Sequence, residues 1–307
     1  MAVGSCNKTE LPNPFWKHIL KLDPDVFVWG GDNIYADTAD MNKMAVMYAA
    51  QKALPEYAAI VDSIKIIGTW DDHDFGKNDG GSDYKMKAES QQLLLDFLDV
   101  PKTDPRWSRE GVYFSQVFET ENGSIKVISL DTRYFRSDLK RSNKAGRRYA
   151  ASKKGTLLGE AQWQWFENKL KNTSADFTVI MSSIQLVSHE HGFEKWANFP
   201  GERQRFFDLL KTTKSDNVIV VSGDRHISEF SKITVDGVED PILDFTSSGL
   251  THAYKKYSGE PNEYKVGETV SDLSYGVIYF DLAAKKIKMQ IRGAEDEVLE
   301  EIEQTYN

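Results

Sequence analysis

Five short apolar runs rich in β-branched residues mark the first two-thirds of the chain: 25–29 (DVFVW), 64–70 (IKIIGTW), 125–131 (IKVISLD), 177–183 (FTVIMSS) and 217–222 (NVIVVS). Each is nearly continuous rather than alternating, the pattern of strands buried on both faces. Apolar positions between them recur at helical spacing. Trp163, Phe166 and Leu170 share one face of a predicted helix over 159–171, and 201–211 repeats the pattern. Strands alternating with helices predict a layered α/β fold with a largely parallel central sheet. The last third differs. Runs at 230–235, 242–246, 275–281 and 286–292, punctuated by Gly237, Gly249 and Gly276, predict antiparallel strands completing a second sheet.

Composition narrows the class. The 307 residues are 40% hydrophobic and 28% charged, which excludes disorder, collagen and coiled coil. No linker, repeat or low-complexity tract interrupts them, so 1–307 is expected to be one domain. Six acids between 295 and 303 predict a solvated helix end or frayed terminus. One cysteine, Cys6, excludes an internal disulfide. No apolar run reaches the roughly 18–20 residues of a membrane span, and MAVGSC lacks the basic and apolar segments of a signal peptide. A net charge of −9 argues against a stable nucleic-acid complex. The partner expected is a small molecule.

The chemistry gathers where strands end, the place where open α/β sheets bind ligands. Five strands run into polar clusters: Gly4-Ser5-Cys6-Asn7, Gly30-Gly31-Asp32-Asn33-Ile34-Tyr35, Trp70 through Asp79, Asp131-Thr132-Arg133, and Ser222-Gly223-Asp224-Arg225-His226. One such cluster is ordinary turn chemistry; five are not. Asp71, Asp72 and Asp74 flank His73, and carboxylates this dense repel one another unless positive charge sits among them. A multivalent cation meets that need. Carboxylates and amides suit hard cations, whereas Cys6, Tyr35 and His226 favour a transition metal. Two unlike metal positions with Asp32 between them are the expectation. Paired metals are a recurring device for hydrolysing phosphate esters, through attack by metal-bound hydroxide. His73, among carboxylates that favour its cationic form, suits the general acid.

These residues resemble the calcineurin-like metallophosphoesterases, and more closely the PhoD-like alkaline phosphatase family. The superfamily frame is GD, then GNH followed by Asp or Glu, then GHxH. Gly31-Asp32 stands for the first, Trp70 to Asp74 for the second with Asp72 at the asparagine position, and Gly223 to His226 for the third with Asp224 replacing a histidine. Asp32-Asn33-Ile34-Tyr35 matches the DxxY element of purple acid phosphatases, and 129–136, Gly159-Glu160-x-Gln162-Trp163 and Thr246 to Gly249 extend the match from Gly4 to about Ala253. The resemblance implies a four-layer αββα sandwich with mixed sheets, holding one ferric iron and one or two calcium ions. It implies Cys6, Asp32, Tyr35 and His226 as iron ligands. Asp32, Asp72 and Asp224 would hold the second metal, Asn78 would join a calcium, and Asp71 and Asp72 are interchangeable. Gln185 stands where the superfamily usually offers another histidine, which favours an oxygen-rich second metal over zinc. The chain resembles the compact form, without an N-terminal β domain. Export to the periplasm or medium is implied by resemblance alone; the alternative is cytoplasmic.

On the substrate side, residues 133–148 carry Arg133, Arg136, Lys140, Arg141, Lys144, Arg147 and Arg148 against only Asp138. Arg133, directly after a strand, is the expected phosphate clamp; the others would steer anionic substrates. The loop Ser188 to Trp196 would wall the pocket, with a further metal site at His189 and His191 as the less favoured reading and Trp196 and Phe199 as loop anchors. The function expected is a metal-dependent phosphoric-ester hydrolase, a phosphomonoesterase and/or phosphodiesterase. The alternative is a non-catalytic calcium- or phosphate-ligand-binding protein of the same fold.

Overall fold

The apolar runs become the inner strands of two mixed sheets in the computed structural model, which describes residues 1–172 and 174–306. In chain order the strands are β1 (Ala2–Gly4), β2 (Val26–Gly30), β3 (Lys65–Thr69), β4 (Phe114–Thr120), β5 (Gly123–Ser129), β6 (Lys140–Arg141), β7 (Tyr149–Ala150), β8 (Phe177–Met181), β9 (Val218–Ser222), β10 (Ser228–Ile233), β11 (Ile242–Ser247), β12 (Lys265–Val270), β13 (Tyr275–Asp281), β14 (Lys286–Arg292) and β15 (Val298–Thr305). One sheet has the order β15-β14-β13-β1-β2-β3, the other β12-β10-β11-β9-β8-β5-β4. The strands β1, β2 and β3 are mutually parallel, as are β11, β9, β8 and β5.

Three apolar layers glue four structural layers together. Val3, Val28, Met181, Ile219, Phe245 and Met289 fill the space between the sheets. Helices Trp16–Leu22, Met41–Lys52, Pro55–Ser63 and Lys87–Phe97 cover the first sheet, where Trp16, Trp29, Tyr57 and Phe97 pack together. Helices Gly159–Lys171 and Pro200–Thr213 cover the second, and Trp163, Phe166 and Leu170 are buried as their spacing predicts. This is the αββα sandwich.

Two expectations need correction. The last-third strands do not all complete the second sheet: β10 and β11 join it, β11 running parallel to β9, while β13 and β14 extend the first. Strand periodicity reports burial, not which sheet supplies the neighbour. The acidic end is neither helix nor frayed. It forms β15, antiparallel to β14, with Lys288 opposite Glu303 and an ion pair between Lys286 and Glu303. Two lysines of the neighbouring strand thus meet Glu303, and Ile302 packs against the inter-sheet core. No helix among the described residues is long and apolar enough to cross a membrane. The carboxyl ends of β1, β2, β3, β5, β8, β9 and β11 bring their following loops together, so both sheets contribute to one site.

Candidate active site

Several of the residues brought together there sit in the left-handed backbone region: Cys6 (φ 61°), Asp32 (φ 51°), Asp224 (φ 67°) and His226 (φ 54°). Non-glycine residues avoid this region at about 1–3 kcal/mol each, and such strain collects at functional sites. Here the four residues follow β1, β2 and β9, and their side chains supply adjoining donor groups.

Cys6, Asp32 and His226 place donor atoms within 4.8 Å of one another; so do Asp32, Asp72 and His73, and so do Asp71, Asp72 and Asp224. Asp32 belongs to the first two groups and Asp72 to the last two. Within the first group Cys6 Sγ lies 3.4 Å from Asp32 Oδ2, Tyr35 Oη lies 3.1 Å from the same oxygen, and Tyr35 Oη lies 3.0 Å from His226 Nε2. Donors bound to one cation at about 2.1 Å sit about 3.0 Å apart at a right angle and about 3.4 Å apart at the tetrahedral angle, so these spacings fit a shared ion. The chain thus brings Cys6, Asp32, Tyr35 and His226 together, as well as Asp72 and Asp224.

The electrostatics point the same way. Burial raises Asp32 and Asp224 well above the ordinary carboxylate range, with neighbouring acids adding to the effect, and pushes Asp71 up to about 7 against the pull of Arg133. Burial also works against the charge of Asp72, but Arg133 and His73 hold it below the usual range. Burial pushes the Cys6 thiol up to about 11 and depresses His226 to about 4 and His252 to about 3. A cation would offset the burial penalty on the thiolate and the carboxylates, and the neutral imidazole that burial already favours is the form a metal binds. Asp71 Oδ2 and Asp72 Oδ1 are buried and accept no hydrogen bond among the described residues. Buried acceptors of that kind are costly unless something positive meets them. The donor set therefore fits the metals that the fold implies.

His73 stands at the edge of these groups. Its Nδ1 lies 2.6 Å from Asp37 Oδ2, and its Nε2 lies 3.9 Å from Asp72 Oδ1. Burial opposes its charge, yet Asp32, the Asp37 hydrogen bond and Asp72 raise its pKa to about 10. The ring packs tilted against Tyr35, centroids 4.1 Å apart. Asp37 fixes the ring's orientation, and nothing in its sequence position marks it. Asp74 is not a donor to the centre: it accepts from the backbone of Asp71 and Asn33 at 2.7 and 3.2 Å and from the Asn33 amide at 2.6 Å, bracing the two loops.

Arg133 is not placed to clamp a phosphate. It has no exposed surface. Its Nε donates to Asp71 Oδ1 at 2.6 Å and its Nη1 to Glu194 Oε2 at 2.6 Å. A strand-end position shows that an arginine is near the site, not which way its long side chain runs. Arg136 is likewise buried and paired with Glu194 at 3.0 Å. Asn78 lies beside the centre with its amide 2.8 Å from Asp72 Oδ2. Gln185 instead binds Glu229 and Thr246, at 2.9 and 2.8 Å.

Beside the acidic groups opens a cavity of ≈ 360 Å³ lined by Asp72, His73, Asn78, Asp79, Asp224 and His226, together with Arg148, Phe193, Glu194, Arg225 and Tyr254. Phe193 and Glu194 come from the loop expected to wall the pocket. His189 faces Glu263 and His191 is buried apart from the carboxylates; neither joins a metal-type cluster among the described residues. Trp196 and Phe199 are fully buried anchors. The β6–β7 hairpin carries Arg148 to the cavity, while Lys144 and Arg147 line an adjoining pocket that shares Arg148 and Phe193. It is docked there: Arg148 N donates to Gly192 O at 2.8 Å, and a Cβ on Gly192 would meet Gly146 O at 2.1 Å. Arg148 reaches Asp79 at 2.9 Å, and Arg225 reaches Glu260 at 2.5 Å while lying over the Phe193 ring.

The two sheets and the acid-rich centre define a protein of the metallophosphoesterase type. A sequence model of the PhoD-like phosphatases matches residues 101–290, more than half the chain. The chain belongs to the PhoD-like phosphatase family. It is 31% identical over 117 residues to alkaline phosphatase D of Bacillus subtilis (strain 168); the match covers 35% of this chain but only 20% of that protein. Among solved structures, one of PhoD superposes with a TM-score of 0.78 at 19% identity over 99% of this chain and 67% of that one. GAP50, the anchor in the inner membrane complex of Plasmodium, gives 0.64 at 14% identity over 100% and 88%. A dimetal phosphatase from Danio rerio gives 0.58 at 12% over 100% and 98%. These three likenesses concern the fold.

Proposed function

We propose that this chain is a metal-dependent phosphoric-ester hydrolase acting on small phosphate esters. The observation that carries the proposal is the sharing of Asp32 and Asp72 between adjoining donor groups, beside a cavity that Asp72 and His73 both line. The softer set (Cys6, Asp32, Tyr35, His226) suits one ferric iron and the oxygen-rich set (Asp32, Asp72, Asp224, with Asn78 alongside) suits calcium. When bound, such ions supply Lewis acidity and make water a nucleophile near neutral pH. The chain's own residues orient that chemistry. Asp37 holds the His73 ring with a proton on Nδ1, His73 delivers a proton to the departing oxygen, and Phe193 and Tyr254 bound the leaving-group side. The His73–Asp37 pair favours turnover over the binding-only alternative, which has no use for an oriented acid.

Rates on p-nitrophenyl phosphate and bis-p-nitrophenyl phosphate, before and after chelation, test the proposal. Turnover should vanish on chelation and return with metal, the monoester being the faster substrate; a faster diester would reverse that order, and bound metal with no turnover on either would favour the binding-only protein. Two further results are expected. If Tyr35 ligates ferric iron, the protein is coloured by ligand-to-metal charge transfer, and Tyr35→Phe removes the band; an unchanged spectrum takes tyrosine out of the site. The exposed hairpin cations should speed capture of multiply charged esters, so raising salt should lower kcat/KM for them by up to about tenfold and for p-nitrophenyl phosphate far less. Equal salt responses would leave the hairpin without a steering role.

A further inference from the structure

The β6–β7 hairpin closes on a tight turn with a cation at each end. Gly146 takes a left-handed φ of 71°, and Arg147 N donates to Lys144 O at 3.2 Å. Ser142 anchors the turn: its Oγ accepts from Lys144 N at 3.1 Å, and its N donates to Arg148 O at 3.1 Å. Arg147 is tied to the facing loop, Nη2 donating to Glu190 O at 3.3 Å. With Gly146 packed too closely on Gly192 to admit a Cβ, the turn is seated on that loop. The two segments enclose a pocket of ≈ 380 Å³ lined by Lys144, Gly146, Arg147, Arg148, Gly192 and Phe193. No carboxylate lines it. In a chain of net charge −9, three cations meet there, and of the three only Arg148 has an ion-pair partner among the described residues. Arg148 and Phe193 also line the cavity beside the acidic centre, so the two spaces adjoin.

We propose that this pocket is a second anion subsite, and that the substrate class is a small phosphate ester carrying a second phosphate on its leaving group. The proposal rests on the hydrolase reading above and names its substrate class. The reacting phosphate lies by the acidic centre, the carbon skeleton passes Arg148 and Phe193, and the second phosphate meets Lys144 and Arg147. Hydrolysis breaks the P–O bond at the centre. Water supplies the new oxygen of inorganic phosphate, and the departing alcohol takes up a proton and keeps its second phosphate. The other arginines near the centre are committed elsewhere. Arg133 and Arg136 are buried against Glu194, and the Arg225 side chain is 4% exposed and paired with Glu260. The Arg148 side chain is 40% exposed. Its partner Asp79 also accepts from Tyr149 Oη, so that carboxylate keeps a hydrogen bond when Arg148 turns to an anion. A guanidinium grips phosphate through paired donors, and an ammonium adds a point charge. Long-range steering needs only positive charge on the surface. It does not need cations fixed by a closed turn and a docked loop around a pocket free of acids.

The test measures inorganic phosphate released by the metal-loaded full chain from α,ω-alkanediol bisphosphates of increasing length and from the matching monophosphates. Salt is held at about 0.5 M to screen long-range attraction. One length should be preferred over its monophosphate by about tenfold or more in kcat/KM, the worth of one hydrogen bond to a charged group. Arg147→Ala should raise KM for that bisphosphate about tenfold with kcat held, and Arg147→Lys should recover part of the loss. Lys144→Ala should act in the same direction. Lys140→Ala removes the same charge from the hairpin but lines neither cavity, and it should keep the length optimum. Circular dichroism confirms that each variant folds. A flat length profile, or equal losses in Lys140→Ala and Arg147→Ala, would overturn the subsite and leave the hydrolase standing. No phosphate released from any ester by metal-loaded protein would overturn the hydrolase reading and the subsite with it.

Discussion

Replacing His73 by alanine is expected to lower kcat for p-nitrophenyl phosphate by about 10²–10⁴-fold while leaving metal content unaltered, the loss typical of a general acid. The geometry supports a group oriented for proton delivery: Nδ1 is held by Asp37 at 2.6 Å, and the ring lines the cavity. Asp37→Asn should produce a smaller loss, because the ring keeps its place but the negative charge that favours its protonated form is gone. Reading metal content beside kcat separates the roles. If His73→Ala loses metal, the imidazole is a ligand rather than an acid. If neither quantity changes, it belongs to neither.

Arg133→Ala is expected to damage the fold more than the chemistry. The guanidinium is fully buried between Asp71 and Glu194. Removing it strands two buried carboxylates, a change that typically costs about 3–5 kcal/mol. Urea denaturation should show the midpoint falling by a corresponding amount. Arg133→Lys should recover only part of that loss, since a single ammonium does not match the guanidinium's fork. A residue that gripped substrate would behave in the opposite way, with KM rising sharply and the denaturation midpoint unmoved. That outcome would reinstate the clamp expected from sequence.

The contrast between His73 and Arg133 shows what a sequence of this kind makes legible. Short side chains at strand ends carry little positional freedom. Cys6, Asp32, Tyr35, Asp72, Asp224 and His226 could be assembled from their place after apolar runs, and the structure brings their donor atoms together. Arginine is long, and its direction is decided by buried acids such as Glu194, which lies 61 residues away in sequence. Asp37 stands outside any recognised spacing and becomes visible only when loops from different strands meet. The fold followed the same division. Buried strands and amphipathic helices were readable from periodicity, whereas sheet membership in the last third was not. The acidic end pairs with β14 as a strand, Lys288 opposite Glu303, a long-range fact that local charge density could not convey.

Metal analysis of the protein purified without chelator tests the central claim most directly. The expected result is more than one metal ion per chain, with a transition metal, iron first, accompanied by calcium. Metal-free protein that hydrolyses phosphate esters at full rate would contradict it.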